Sequence, residues 1–353
     1  MPRVSFTFRG LLAPVLTPFN NDSTRTLNLS VVPQYANHLA NKKVNGVLVN
    51  GTSGEGPSMS TSERKLVAEA WANAVRTTKQ HLMIQVGGAS LPDVLELAKH
   101  AESIKADSIL CLPELYFKPS TSEQLKDYLR LVSSAAPNTP LLYYHIPIFT
   151  NVNVYLKIYR RFFMGEFLES LNEEIPTFVG IKFTSPNLQE GARALRANNN
   201  RFVVFLGNNE LMDAACAIGM NSFIITSLSM FPELTVEAFT AGNAGNLLKA
   251  RETQQRLTNV LTTIGKYGTF IETMKAAMSL LTNINPGPPR VPQQPLSAEA
   301  MASMAKDLQN LGFISAKSKR CIGGSTIEVW NNVQQGQRYQ CHMARTTIPG
   351  FIN

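Results

Sequence analysis

The sequence predicts a TIM-type (β/α)8 barrel with a C-terminal helical appendage, and three observations carry that expectation. Eight short apolar runs recur over about 220 residues, helical stretches lie between them, and no Gly-x-Gly-x-x-Gly turn follows the first run. The missing turn disfavours a doubly wound open sheet. At 353 residues the chain is about twice an ordinary domain, a length that one large barrel accommodates.

The runs are Leu11–Phe19, Gly46–Asn50, Leu82–Val86, Ser108–Leu112, Leu141–Ile146, Phe178–Phe183, Phe202–Leu206 and Phe223–Ser227. They are rich in Val, Ile, Leu and Phe, as strands covered on both faces of a parallel sheet are. Thr61 to Thr78 reads as a helix, with Ser and Thr at its start and Glu63 in its first turn. Pro92 to Ser103 and Thr121 to Ala136 read likewise, with Pro119 and Pro137 marking edges. After Ser227 the strand signals cease. Glu233–Ala241, Leu247–Lys266 and Ile271–Leu281 are helical, then Pro286-Gly287-Pro288-Pro289 breaks the chain before a last helix near 297–311. The expected organisation is a barrel over 8–230 with an extra insert near 152–165, a helical bundle over 231–312 packed on it, and a poorly ordered polar tail over 313–353.

Composition narrows the class. Hydrophobic residues at 44% against 16% charged argue for a packed core over disorder. No stretch approaches the roughly 18 apolar residues of a membrane helix, so a soluble protein without membrane partners is expected. The first ten residues lack an apolar signal region, and Pro14 and Pro18 interrupt the run from Leu11 to Phe19. Cys111, Cys216, Cys321 and Cys341 form no Cys-x-x-Cys pair, which speaks against a metal site or disulfide scaffold and for a cytoplasmic protein. The net charge of +8 is concentrated: Lys157, Arg160 and Arg161 give +3, and the segment from 313 onwards gives +4. The remainder is almost neutral, so no nucleic-acid partner is inferred.

Active sites of such barrels lie at the C-terminal ends of the strands. The second run ends in Asn50-Gly51-Thr52-Ser53-Gly54-Glu55-Gly56. Adjacent hydroxyls between glycines make a nest for a carboxylate or phosphate, although an ordinary Gly-rich loop has the same look. The fifth run ends in Tyr143-Tyr144-His145-Ile146-Pro147. Alternation lets only one of the two tyrosines point inward, to relay a proton or simply to pack. Within Phe178–Phe183 stands a lone lysine, Lys182. Ammonium groups are seldom buried without reason, and each unit of pKa depression by desolvation raises the neutral fraction about tenfold. A neutral amine attacks a ketone to form a Schiff base. A lysine imine, a carboxylate nest and a proton-relaying tyrosine together suit aldol cleavage or condensation with pyruvate, with no metal or cofactor.

At these residues the sequence resembles the N-acetylneuraminate lyase and dihydrodipicolinate synthase family of class I, pyruvate-dependent aldolases. Gly46-Val47-Leu48-Val49-Asn50-Gly51-Thr52-Ser53-Gly54-Glu55 matches that family's loop motif, and Tyr144-His145-Ile146-Pro147 and Gly180-Ile181-Lys182 match its other two. The likeness runs from about Leu11 to about Gly312. It implies an imine on Lys182, proton transfer by Tyr144 and carboxylate binding by Thr52 and Ser53. It also implies a homotetramer and a lesser role for Tyr116, which stands where the synthases have a tyrosine reaching a neighbouring subunit.

The branch within the family turns on a few positions. Synthases place Gly-Arg directly after Tyr-x-x-Pro to clamp a second carboxylate, whereas Ile148 and Phe149 stand here. Tyr-Tyr-His-Ile-Pro itself looks like animal-type N-acetylneuraminate lyases, which split N-acetylneuraminate into N-acetylmannosamine and pyruvate. By that likeness Thr184, Gly207, Asn209, Glu210 and Thr226 would hold the sugar. Asn209 stands for the family's Asp and Thr226 for its Ser, and loss of one charge-assisted bond would weaken affinity by about 1–2 kcal/mol. Between His145 and Lys182 the chain is about eight residues longer than such lyases, an insertion that a barrel tolerates. The alternatives are another pyruvate-dependent aldolase of the superfamily and a catalytically impaired sialic-acid-binding relative.

Overall fold

Eight strands hydrogen-bond side by side and close on themselves: β1 (Gly10–Pro14), β2 (Gly46–Val49), β3 (His81–Gln85), β4 (Ser108–Cys111), β5 (Leu141–His145), β6 (Phe178–Phe183), β7 (Val203–Leu206) and β8 (Ser222–Ile224). Every pair is parallel, and β8 returns to β1 through Ser222 and Gly10. This is the expected TIM barrel. The structure, a computed structural model, describes residues 4–152, 155–157, 160–161, 163–171, 173–315, 319–322 and 325–328.

Period-two alternation divides the strands' side chains between two apolar layers. Leu12, Leu48, Met83, Leu110, Leu142, Tyr144, Phe205 and Ile224 fill the lumen, and Phe6 and Phe8 pack against them. Leu11, Val47, Val49, Ile84, Ile109, Tyr143 and Ile181 face outward into the layer shared with the helices. Tyr143 and Tyr144 therefore point to opposite sides. In β6, Leu141 pairs with Phe178 but Leu142 with Gly180, so a bulge at Val179 puts Lys182 in phase with Tyr144.

The helices follow in chain order: α1 (Val32–Asn41), α2 (Thr61–Thr78), α3 (Leu91–Ser103), α4 (Ser122–Ala135), α5 (Pro147–Thr150), α6 (Met164–Ser170), α7 (Leu188–Asn200), α8 (Met212–Ala217), α9 (Ser227–Met230), α10 (Pro232–Asn243), α11 (Leu247–Gly265), α12 (Phe270–Leu281) and α13 (Ala298–Asn310). α2 begins with a capping box: Ser60 Oγ accepts from the Glu63 amide at 3.2 Å, and Glu63 accepts from the Ser60 amide at 3.0 Å. Helices α10 to α13 make up the C-terminal region, and Met304, Leu308 and Ile314 join the same apolar layer that coats the barrel. No described helix is long and apolar enough to cross a membrane.

Two apolar runs overshoot the strands. Pairing of β1 ends at Pro14, and Val15, Leu16 and Phe19 are instead buried in the loop beyond it. Ser227 opens α9 rather than closing β8. Apolar content alone does not separate a buried loop from a buried strand. In the expected insert near 152–165, Tyr155–Lys157 pairs antiparallel with Arg160–Arg161, and residues 153–154, 158–159 and 162 lie outside the described residues. Most of the expected tail, 316–318, 323–324 and 329–353, also lies outside them. Within it Lys319–Ile322 pairs with Ser325–Glu328, strands that the run pattern did not signal.

Candidate active site

The β5–β6 ladder sets Tyr144 opposite Lys182. Both side chains face the lumen near its C-terminal end, 2% and 5% exposed. Lys182 Nζ donates to the Tyr144 hydroxyl at 2.9 Å and lies 4.1 Å from the ring centroid. The same hydroxyl is 3.4 Å from Thr52 Oγ1. An amine, a phenol and a threonine from three different strand ends thus meet in one line.

Thr52 and Ser53 sit in a tightly wound loop after β2. The Glu55 amide donates to Thr52 O at 3.1 Å and the Gly56 amide to Gly51 O at 3.2 Å. Asn50 and Glu55 bracket the turn with left-handed φ values of 60° and 54°. A Cβ at Gly56 would fall 2.1 Å from Asn50 O, so only glycine closes it. Among the described residues the amides of Thr52 and Ser53 donate to no protein acceptor. Two such N–H groups beside two hydroxyls form an anion nest.

Glu55 holds that loop from below. Its carboxylate meets Lys275 Nζ of α12 at 2.7 Å and accepts from the Arg290 amide at 2.8 Å. Lys275 also donates to Thr17 O at 2.9 Å and Pro288 O at 3.1 Å. Both cations lie against the Phe19 ring, at 4.3 and 4.5 Å from its centroid. Burial pushes the Lys275 ammonium down to about 8, with Glu55 opposing.

The ends of β6, β7 and β8 bring further polar groups alongside. The Thr184 amide donates to His145 O at 2.8 Å, and its buried Oγ1 has no partner among the described residues. A Cβ at Gly207 would lie 2.1 Å from that Oγ1 and 3.2 Å from Lys182 Cε, so glycine leaves clearance around the Lys182 side chain. Asn209 Nδ2 donates to Thr226 Oγ1 at 2.8 Å, and Asn209 Oδ1 accepts from the Ser227 amide at 3.0 Å. The carboxylate-bearing Glu210 is exposed. Gly207, Asn209, Glu210 and Thr226 line a cleft of about 590 Å³ together with Ile148 and the α11–α12 junction. Tyr116 is not part of this group. It is 77% exposed and rests edge-on against Phe117 at 5.0 Å.

A model of the dihydrodipicolinate synthetase family matches residues 7–311. The chain belongs to the dihydrodipicolinate synthetase family. Within that family it is 33% identical over 312 residues to the N-acetylneuraminate lyase of Mus musculus, covering 88% of this chain and 94% of the mouse protein. To the N-acetylneuraminate lyase of Gallus gallus it is 34% identical over 304 residues, covering 86% and 96%. Among solved structures it resembles the N-acetylneuraminate lyase of Proteus mirabilis, with a TM-score of 0.79, 31% identity and coverage of 87% and 99%. In this family member the two positions after the Tyr-x-x-Pro motif are Ile148 and Phe149, 80% and 64% exposed on α5, so no guanidinium stands there.

Sequence reasoning missed the clamp made by Lys275 and Arg290 and the support from Gln254, whose Nε2 donates to Asn209 O at 2.8 Å. Lys275 carried a usable signal, since it is one cation in the apolar stretch Met274-Lys275-Ala276-Ala277-Met278. Gln254 carried none, because its helix is polar around most of its circumference.

Proposed function

We propose that the chain is an N-acetylneuraminate lyase, cleaving N-acetylneuraminate reversibly to N-acetylmannosamine and pyruvate through a Schiff base on Lys182. The observation that carries this reading is the 2.9 Å contact between Lys182 Nζ and the Tyr144 hydroxyl, buried beside the empty-handed amides of Thr52 and Ser53. Identity of about a third to vertebrate N-acetylneuraminate lyases over most of both chains supports the substrate class.

The nest of Thr52 and Ser53 receives the substrate carboxylate, which sets the adjacent keto carbon before Lys182. Nζ bonds to C2, and the resulting carbinolamine loses hydroxide, which leaves as water with the proton of Tyr144. The phenolate then takes the proton of the C4 hydroxyl while the C3–C4 bond breaks and its electron pair moves into the iminium, giving an enamine. Tyr144 returns the proton to C3. Water adds to the new iminium and gives a proton to the Tyr144 phenolate, and the carbinolamine collapses to pyruvate and the free amine. No metal is needed to hold the electrons, since the protonated imine accepts them. Thr184, Gly207, Glu210 and Thr226 face the departing sugar, with Asn209 acting through Thr226.

The enzyme is inferred to be a cytoplasmic homotetramer. Cys111 and Cys216 are unpaired, which suits a reducing compartment. Tyr116 and Phe117, exposed and edge-on to each other, give an apolar pair for a neighbouring copy to cover. Light scattering in solution measures that mass.

The decisive experiment is a coupled pyruvate assay on N-acetylneuraminate, run beside borohydride trapping with pyruvate. Wild type releases pyruvate and is labelled at Lys182, and Lys182→Ala does neither. Label on another residue would refute the assignment.

A further inference from the structure

We propose that Asn209 fixes the polarity of the sugar-binding wall, freeing the Thr226 hydroxyl proton for substrate, so that the cleft takes a tail oxygen able only to accept. The proposal deepens the lyase reading above and rests on it. The N–H of Ser227 can only donate, so the Asn209 atom 3.0 Å from it is the carbonyl oxygen. The other terminal atom is therefore the NH2 group, and it must donate to Thr226 Oγ1 at 2.8 Å. The usual ambiguity between the two ends of an asparagine side chain is removed by chemistry.

A threonine hydroxyl has one proton and two lone pairs. One lone pair is taken by Asn209, and the proton cannot be returned to an NH2 group. Among the described residues Thr226 Oγ1 donates to no protein acceptor. Thr226 borders the cleft with Gly207, Glu210 and Ile148, so the partner left for that proton is the occupant of the cleft. The Asn209 backbone is held in turn by Gln254, whose Nε2 donates to its carbonyl at 2.8 Å, which keeps the amide in place as substrates change.

Two neighbouring groups thus make complementary demands. The Glu210 carboxylate accepts from a substrate hydroxyl, while Thr226 donates to an oxygen. A free polyol satisfies both, and so does a tail whose contacting hydroxyl is capped as an ether or ester, because the capped oxygen still accepts. An aspartate at 209 would draw the threonine proton onto its own carboxylate and turn lone pairs toward the cleft. A capped oxygen would then face lone pairs without a proton between them. Asn209 is accordingly a specificity-determining residue that works through Thr226, and the substrate class it admits is 2-oxo acids with an O-capped polyol tail.

The test compares kcat/KM for N-acetylneuraminate with that for derivatives methylated at each tail hydroxyl in turn, in wild type and in Asn209→Asp. Dividing each derivative by its parent within one protein cancels any loss of active enzyme, and comparing the two proteins cancels the steric cost of the methyl group. For one derivative the ratio is expected to be about tenfold higher in wild type than in Asn209→Asp, the effect of one unmatched hydrogen bond. Thr226→Val, which keeps the shape, should lower parent and derivative alike by about tenfold. Equal ratios in wild type and Asn209→Asp at every position would overturn the proposal alone. Should Asn209→Asp fail to fold or turn over, Thr226→Val decides, and an unchanged kcat/KM on every substrate overturns it. No pyruvate from unmodified N-acetylneuraminate with wild type would overturn the lyase reading and this proposal with it.

Discussion

Glu55 Oε1 and Lys275 Nζ lie 2.7 Å apart with both side chains out of solvent, one on the loop that presents Thr52 and Ser53 and the other on helix α12. A helix of the C-terminal region thereby holds a turn at the barrel mouth. Removing one partner strands the other as a buried charge, and Lys275→Met should cost about 3–5 kcal/mol in urea unfolding. The pairing of Glu55→Leu with Lys275→Met should recover part of that loss, since both charges leave together while the Arg290 amide and the Thr17 and Pro288 carbonyls lose their partners. A single variant as stable as wild type would show the contact to be unimportant.

Tyr144→Phe removes one oxygen from the line joining Lys182 to Thr52. The amine remains but the acid that dehydrates the carbinolamine is gone, so pyruvate and borohydride should still label Lys182, more slowly than in wild type. Turnover should fall by about 10²–10⁴, the span of a lost proton-transfer group. Unimpaired cleavage would move the proton transfer to another residue.

Gly207→Ala tests the clearance around the lysine. The added methyl would sit 2.1 Å from Thr184 Oγ1 and 3.2 Å from Lys182 Cε, distances that force a displacement. Labelling by pyruvate should slow by tenfold or more while circular dichroism stays unchanged, because the position lies just beyond a strand end. Normal labelling kinetics would mean that the neighbours yield freely.

Glu63 joins the cap of α2 to Arg290, whose hydrogen bonds hold the carboxyl down to about 2, below the 4.5 of an ordinary glutamate. The folded protein therefore binds this proton less readily than the unfolded chain does. The stabilisation is present above pH 4.5 and is lost as pH falls toward 2. For a pair partly open to solvent it amounts to about 1 kcal/mol at most. Glu63→Gln should flatten the stability profile across that window, and an unaltered slope would assign acid lability elsewhere.

Much of this architecture was legible in the sequence, for reasons visible in particular residues. Phe178–Phe183 was delimited to the residue because a buried parallel strand is a continuous apolar run, and Lys182 stood out as the one ammonium inside it. The start of α2 was legible from Ser60 and Glu63 because capping is local chemistry. The first run extends too far, to Phe19, because the loop beyond β1 is as deeply buried as the strand. The orientation of Asn209 was out of reach, since it depends on the Ser227 amide approaching from the start of α9. Lys275 gives the same signal as Lys182, but it falls in a helix rather than at a strand end, where an active-site residue is sought.

The register between β5 and β6 makes Tyr144 and Lys182 rungs of one ladder, although the polypeptide leaves the barrel wall between them from Ile146 to Thr177. Their separation is set by the interstrand spacing of about 4.8 Å and owes nothing to the length of that excursion. The outer hoop can therefore be lengthened, recoded or traded by genetic drift while Tyr144 and Lys182 keep their alignment. Innovation at the rim and constancy of chemistry become separable traits.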